Sequence, residues 1–167
     1  AILFTPRNQD GGAPWSGVSD VTFSDNILRY SAAGLNISGE DSPNSSQTTR
    51  RVVVTNNLLF DIDGASFAGA GRLFQVITPG KATEGLKIEH NTGFVNGNAA
   101  MAMGDTGAVA TGFIFRNNVL GHGEYGVFGS GKGEGTSGLD FYVPGYVFES
   151  NALIGYPQAA YPANNFF

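Results

Sequence analysis

Val52-Val53-Val54-Thr55-Asn56-Asn57 runs as a short apolar strand into an asparagine, and four other stretches of the chain can be laid over it. They are Val21-Thr22-Phe23-Ser24-Asp25-Asn26, Leu86-Lys87-Ile88-Glu89-His90-Asn91, Phe113-Ile114-Phe115-Arg116-Asn117-Asn118 and Tyr146-Val147-Phe148-Glu149-Ser150-Asn151. The closing asparagines, Asn26, Asn57, Asn91, Asn118 and Asn151, lie 31, 34, 27 and 33 residues apart. A period of about 20–50 residues marks a solenoid, propeller or array rather than an ordinary globular domain.

Within each repeat the strand alternates. Val21 and Phe23, Val52 and Val54, Leu86 and Ile88, Phe113 and Phe115, and Tyr146 and Phe148 point one way, and Thr22, Ser24, Lys87, Glu89, Arg116 and Glu149 the other. Val53, Ile114 and Val147 break the polar side, so part of the outer face is expected to be covered. A short apolar pair follows the asparagine (Ile27-Leu28, Leu58-Leu59, Val119-Leu120, Ala152-Leu153); Thr92-Gly93 is the exception, with Phe94 expected to take over. A third strand follows a glycine-rich bend: Gly34 to Ser38, Arg72 to Ile77, Ala100 to Met103 and Gly126 to Gly129, with Ala1 to Thr5 in the equivalent place. The pattern predicts an all-β chain, a right-handed parallel β-helix solenoid of about five coils with three short strands per coil. It forms a single domain over residues 1–167, truncated at its N-terminal end and read as the C-terminal part of a longer β-helix. The asparagines are expected to sit at the αL bend between two strands and to exchange amide hydrogen bonds from coil to coil as a ladder. Neither terminus shows an amphipathic capping helix, so the strand edges at the ends are expected to be met by more of the same polypeptide, by loops, or by another copy stacking head to tail.

Composition narrows the partners. The net charge of −5 provides no basic stripe, which excludes a nucleic-acid surface and disfavours anionic membrane. No run approaches the roughly 18 apolar residues that span a bilayer. Cysteine is absent, which removes disulfides and thiolate metal sites. The 25 glycines fit many tight turns between short strands.

The pattern V-x-F-x-x-N-x-L followed by a glycine-flanked strand resembles the parallel β-helix (PbH1) repeat proteins of the pectate-lyase-like superfamily. Thr5-Pro6-Arg7-Asn8-Gln9-Asp10-Gly11, the Ala13-Pro14-Trp15 corner and Tyr161-Pro162-Ala163-Asn164-Asn165-Phe166-Phe167 resemble, more narrowly, uncharacterised secreted β-helix proteins of soil bacteria such as Acidobacteria. The resemblance covers the whole chain. It implies the fold and a secreted, extracellular, bacterial location, and it carries no activity over residue by residue. Pectate-lyase relatives use calcium-binding aspartates beside an arginine or lysine base.

Chemistry is sparse. The acids stand singly, apart from adjacent Glu40-Asp41 and the pair Asp61 and Asp63; the latter two share a face of an extended segment, where they ligate a cation such as calcium or merely form a solvated turn. No other cofactor is expected. The long connections, Pro6 to Gly17, Gly39 to Arg51, Pro79 to Gly85, Gly104 to Gly112 and Ser130 to Gly145, gather on one side of a solenoid and form its binding side. They offer Arg7, Asp10, Glu40, Asp41, Arg50, Glu84 and Asp105 as ligand contacts, and His122 in Gly121-His122-Gly123-Glu124 as an acid or base or a plain surface residue. Trp15 either contacts ligand or caps the open end of the coil. Two functions follow. One is a non-catalytic extracellular module, structural or adhesive, that contacts polysaccharide or self-associates through open β-helix ends. The other is a polysaccharide lyase or glycoside hydrolase whose groove runs along the third-strand sheet, marked by acids converging with Arg7, Arg50, Arg51 or Lys81.

Overall fold

The computed structural model describes residues 1–105 and 107–167. Strands run in threes. β1 (Ile2–Phe4) is followed by β2 (Ser19–Ser24), β3 (Ile27–Leu28) and β4 (Ala33–Ser38). Next come β5 (Arg50–Thr55), β6 (Leu58–Asp63) and β7 (Arg72–Ile77), then β8 (Lys87–Glu89), β9 (Thr92–Asn96) and β10 (Ala99–Met103). After β11 (Ile114–Arg116), β12 (Val119–Gly121) and β13 (Val127–Gly129) come a short β14 (Gly133–Glu134), helix α1 (Thr136–Tyr142), β15 (Val147–Glu149) and β16 (Ala152–Ile154). They assemble into three sheets, ordered β2-β5-β8-β11-β15, β3-β6-β9-β12-β16 and β1-β4-β7-β10-β13-β14. Among the described residues every strand-to-strand pairing is parallel except β13 with β14, with one isolated antiparallel bridge between Ala99 and Gly123, so the chain is a β-helix-like stack.

Register follows the sequence repeat. Val54 pairs with Ile88, Ile88 with Phe115 and Phe115 with Phe148, and all four are buried. The second sheet contributes Leu59, Leu120 and Leu153 to the bore, and the third contributes Leu35, Phe74, Met101 and Val127. Each fully buried side chain of this kind contributes about 1.5–3 kcal/mol, so the bore carries the stack. Gly93 is a correction to the expected pattern: Phe94 does not take over the inward position but stands 43% exposed. A Cβ on Gly93 would lie 2.6 Å from Leu73 Cδ1, because the Leu73 side chain already fills that place.

The corners also differ from expectation by one residue. The ladder asparagines are not themselves left-handed; the residue before each one is, namely Asp25, Asn56, His90, Asn117 and Ser150, with φ between 55° and 60°. That bend aims the next side chain into the wall. There the amide Nδ2 of Asn26 donates to Asn57 Oδ1 (3.0 Å), Asn57 to Asn91 (2.9 Å), Asn91 to Asn118 (3.1 Å) and Asn118 to Asn151 (3.0 Å). A sixth rung, Asn165, accepts from Asn151 at 2.9 Å. Five residues before each of these bends lies a second left-handed corner, at Asp20, Arg51, Gly85, Gly112 and Gly145.

Charge decorates these corners. The Arg51 guanidinium bonded to Asp20 holds its carboxyl below the usual carboxylate range. The Asn56 amide does the same for Asp25, and the Ser66 backbone N–H for Asp63. A carboxyl lowered in the folded state contributes stability above its unfolded value that is lost as pH falls through the folded one. Urea midpoints are therefore expected to stay level from pH 7 to about 5 and to drop below about pH 4. Titrating the midpoint in wild type and in Asp63→Asn checks this, the variant showing the shallower acid loss.

At the C-terminal end the strand edges are met by the chain's own polypeptide, one of the expected alternatives, although the sequence showed no capping helix. α1 packs against β13, and β14 pairs with its edge. The tail supplies a further rung: Phe166 bridges Ala152, and Leu153 N–H donates to Phe166 O at 2.7 Å. At the N-terminal end Ile2, Phe4, Val21, Phe23 and Leu28 are only partly buried.

Candidate functional site

Alternation in the third sheet sends one row of side chains outward across five strands: Leu3, Asn36, Gln75, Ala102 and Phe128, each paired with the next. Over this face lie two depressions. One, of about 210 Å³, is lined by Leu3, Thr5, Arg7, Asn36, Ser38, Asp41, Ser42, Ile77 and Asp105. The other, of about 280 Å³, is lined by Arg72, Gln75, Ile77, Ala102, Met103, Gly104, Asp105, Phe128 and Ser130. They share Ile77 and Asp105 and so join into one trough along the stack. Its floor is mixed apolar and amide. The Asn36 Oδ1 is shielded and has no hydrogen-bond partner, and Arg72 is fixed by donating to Asn98 (2.8 Å) with its guanidinium 5.8 Å from the Phe128 ring.

The long connections form the wall at one end. Asp41 is the keystone, its side chain wholly buried, accepting the Asn8 N–H at 2.6 Å and Arg7 Nη1 at 3.2 Å. Glu40 accepts Ser45 Oγ at 2.8 Å and pairs with Lys81 at 3.2 Å. Lys81 reaches back to Ser45 Oγ (2.9 Å) and to the Ser46 carbonyl. Asn8 ties the first loop to the second through Ser45 O (2.8 Å). Two acids and two cations thus brace three loops. Buried carboxylates committed in this way cost several kcal/mol to unpair. Glu40 is 9% exposed in its side chain and Asp41 not at all, so neither reaches a ligand, whereas Arg7 is 60% exposed and Asp105 is open.

The structure therefore brings Arg7, Asp41 and Asp105 to one depression, with Glu40 just behind. The others lie elsewhere. Asp10 lines a separate hollow of about 230 Å³ with Arg7 and Asn8. Arg50 and Glu84 stack beside each other at the entrance to the first sheet, outside the trough. Trp15 is 74% exposed, so most of its ring caps nothing, and it too stands outside the trough. His122 belongs to the C-terminal end: its Nε2 is 2.7 Å from Glu134 Oε1 and its Nδ1 2.8 Å from Gly123 O. Tyr161 donates to the same Glu134 oxygen at 2.8 Å, and burial pushes its phenol and that of Tyr156 well up. This cluster locks the tail down. Asn36, Gln75, Ile77 and Phe128 were missed as site residues; their outward parity in the third strand was the available signal. Among the described residues no three His, Asp or Glu side chains converge as metal ligands. Asp61 and Asp63 do share a pocket, on a different sheet.

No family model, curated protein or solved structure matches the chain.

Proposed function

We propose that this chain is a right-handed parallel β-helix of about five coils, akin to the pectate-lyase-like superfamily, since parallel crossovers are right-handed in about 98% of cases. On this reading it is an extracellular bacterial module that holds a polysaccharide along the third-sheet trough without cleaving it. The observation that carries the reading is the commitment of Glu40 and Asp41 to loop bracing. Hydrolysis needs two carboxyls about 5–10 Å apart that both reach the glycosidic bond. Here Asp105 alone of the trough's carboxyls is open, beside the exposed Arg7 head group, the Asn36 and Gln75 amides and the Phe128 ring: groups suited to gripping hydroxyls and ring faces. On the same reading the C-terminal edge does not serve end-to-end association, because the tail pairs along it.

A lyase or hydrolase is the second reading, favoured by the convergence of Arg7, Asp41 and Asp105 on one depression. A glycan array followed by affinity electrophoresis against the polysaccharides that score tests the trough as the binding face, and a depolymerisation screen on the same polysaccharides separates the two. Wild type is expected to be retarded and Gln75→Ala to bind about fivefold more weakly, the loss of one neutral hydrogen bond. Arg7→Ala also unpairs the buried Asp41 and is expected to lower the urea midpoint as well. Retardation unchanged by Arg7→Ala and by Gln75→Ala would remove the trough from the account.

A further inference from the structure

A second pocket, of about 470 Å³, lies outside the second sheet and away from the trough. Its walls are three aromatic rings, Tyr30, Phe67 and Phe94, which are 61%, 42% and 43% exposed. Single exposed apolar residues are ordinary, but three large rings facing one hollow are not. Tyr30 and Phe67 are held in place. Arg29 stacks over Tyr30 at 4.9 Å. The turn 64–69 presents Phe67, closed by Gly69 N–H to Gly64 O at 2.8 Å, and it requires glycine at 64, where a Cβ would lie 2.6 Å from Gly69 O.

Polar groups complete the hollow. Asp63 accepts from Ser66 N–H (2.8 Å), Ser66 Oγ (3.0 Å) and Asn96 Nδ2 (2.8 Å). Because Asn96 spends its amide nitrogen on Asp63, its Oδ1 is left to accept from outside. Asp61 is exposed and has no ion-pair partner among the described residues. Rings for a CH face and acceptors for hydroxyls, in a pocket within the roughly 300–1,000 Å³ range of small-ligand sites, match a pyranose. A purely apolar ligand would strip water from Asp61 without giving it a donor. A uronate would bring its own carboxylate against Asp61 and Asp63.

We infer that Tyr30, Phe67, Phe94, Asp61 and Asn96 form a binding site for an uncharged hexopyranose unit, independent of the third-sheet trough. Amide chemical-shift titration of the 167-residue chain with cellotetraose, mannotetraose and tri-galacturonate tests it. A neutral tetrasaccharide is expected to shift the resonances of Asp61, Phe67, Phe94 and Asn96. Tri-galacturonate is expected to leave them in place. Phe94→Ala and Asp61→Asn should each weaken binding about tenfold with an unchanged urea midpoint, and Gln75→Ala, on the floor of the trough, should leave it unaltered. Shifts confined to Gln75, Ile77 and Asp105 would overturn this inference while upholding the trough. Shifts at the aromatic pocket by tri-galacturonate alone, an affinity indifferent to Phe94→Ala and Asp61→Asn, or no response to either neutral sugar would also overturn it.

Discussion

Replacing Asn91 by aspartate, a change of one atom, is expected to lower unfolding free energy by about 3–5 kcal/mol. Asn91 sits in mid-file and is 1% exposed. Its Oδ1 accepts from both the backbone N–H and the Nδ2 of Asn57, at 3.0 and 2.9 Å. Its Nδ2 donates to Asn118 Oδ1 (3.1 Å), Val54 O (3.0 Å) and Glu89 O (3.0 Å). A carboxylate keeps the two acceptances but turns an oxygen toward three oxygens, inside a wall that water does not reach. Alanine is expected to cost less than aspartate, since it leaves orphans without repulsion. Asn26→Asp is expected to cost least, since that rung is half-buried at the edge of the stack. Urea denaturation of the three variants reads the order directly. A drop for Asn91→Asp no larger than that for Asn26→Asp would mean that the file is incidental to stability.

Gly39→Ala is expected to cost about 2–3 kcal/mol and to open the trough wall. Gly39 donates its N–H to Ile77 O (2.9 Å) and accepts from Thr49 N–H (2.8 Å), which fixes where the second loop leaves the third sheet. A Cβ there would lie 1.9 Å from Lys81 O and 2.7 Å from Ala82 Cα, both backbone atoms of the next coil. The loops must part, and with them the Glu40–Lys81 pair. The same variant is therefore expected to lose both midpoint and polysaccharide retention. A loss of midpoint with retention intact would separate the brace from the binding face.

The repeat was legible because apolar alternation and a recurring asparagine are both local patterns. Two features escaped for reasons of geometry. The bend belongs to the residue before each asparagine, which varies (Asp25, Asn56, His90, Asn117, Ser150) because αL tolerance is shared by several polar types, whereas the inward amide is not replaceable. Asn165 follows Asn151 by 14 residues, well short of the repeat, because the tail reaches the ladder without passing through the third sheet. The site was half legible. Arg7, Asp41 and Asp105 were all named, Asp41 beside Glu40, but the Arg7–Asp41 contact spans 34 residues, and only the stacking of successive strands brings it to 3.2 Å. Pairing of that kind turns nominal catalytic acids into loop braces. The floor row was hidden because Ala102 and Phe128 carry no polar group to mark an outward position. Phe94, expected inward, was displaced by Leu73 and instead lines the aromatic pocket.

The central claim, a trough that holds polysaccharide without cutting it, is tested most directly by following the chain length of a bound polysaccharide. Size-exclusion chromatography of the polysaccharide after prolonged incubation with stoichiometric protein should show co-elution and an unchanged length distribution. Progressive shortening that disappears in Asp105→Asn would contradict the claim and establish an enzyme.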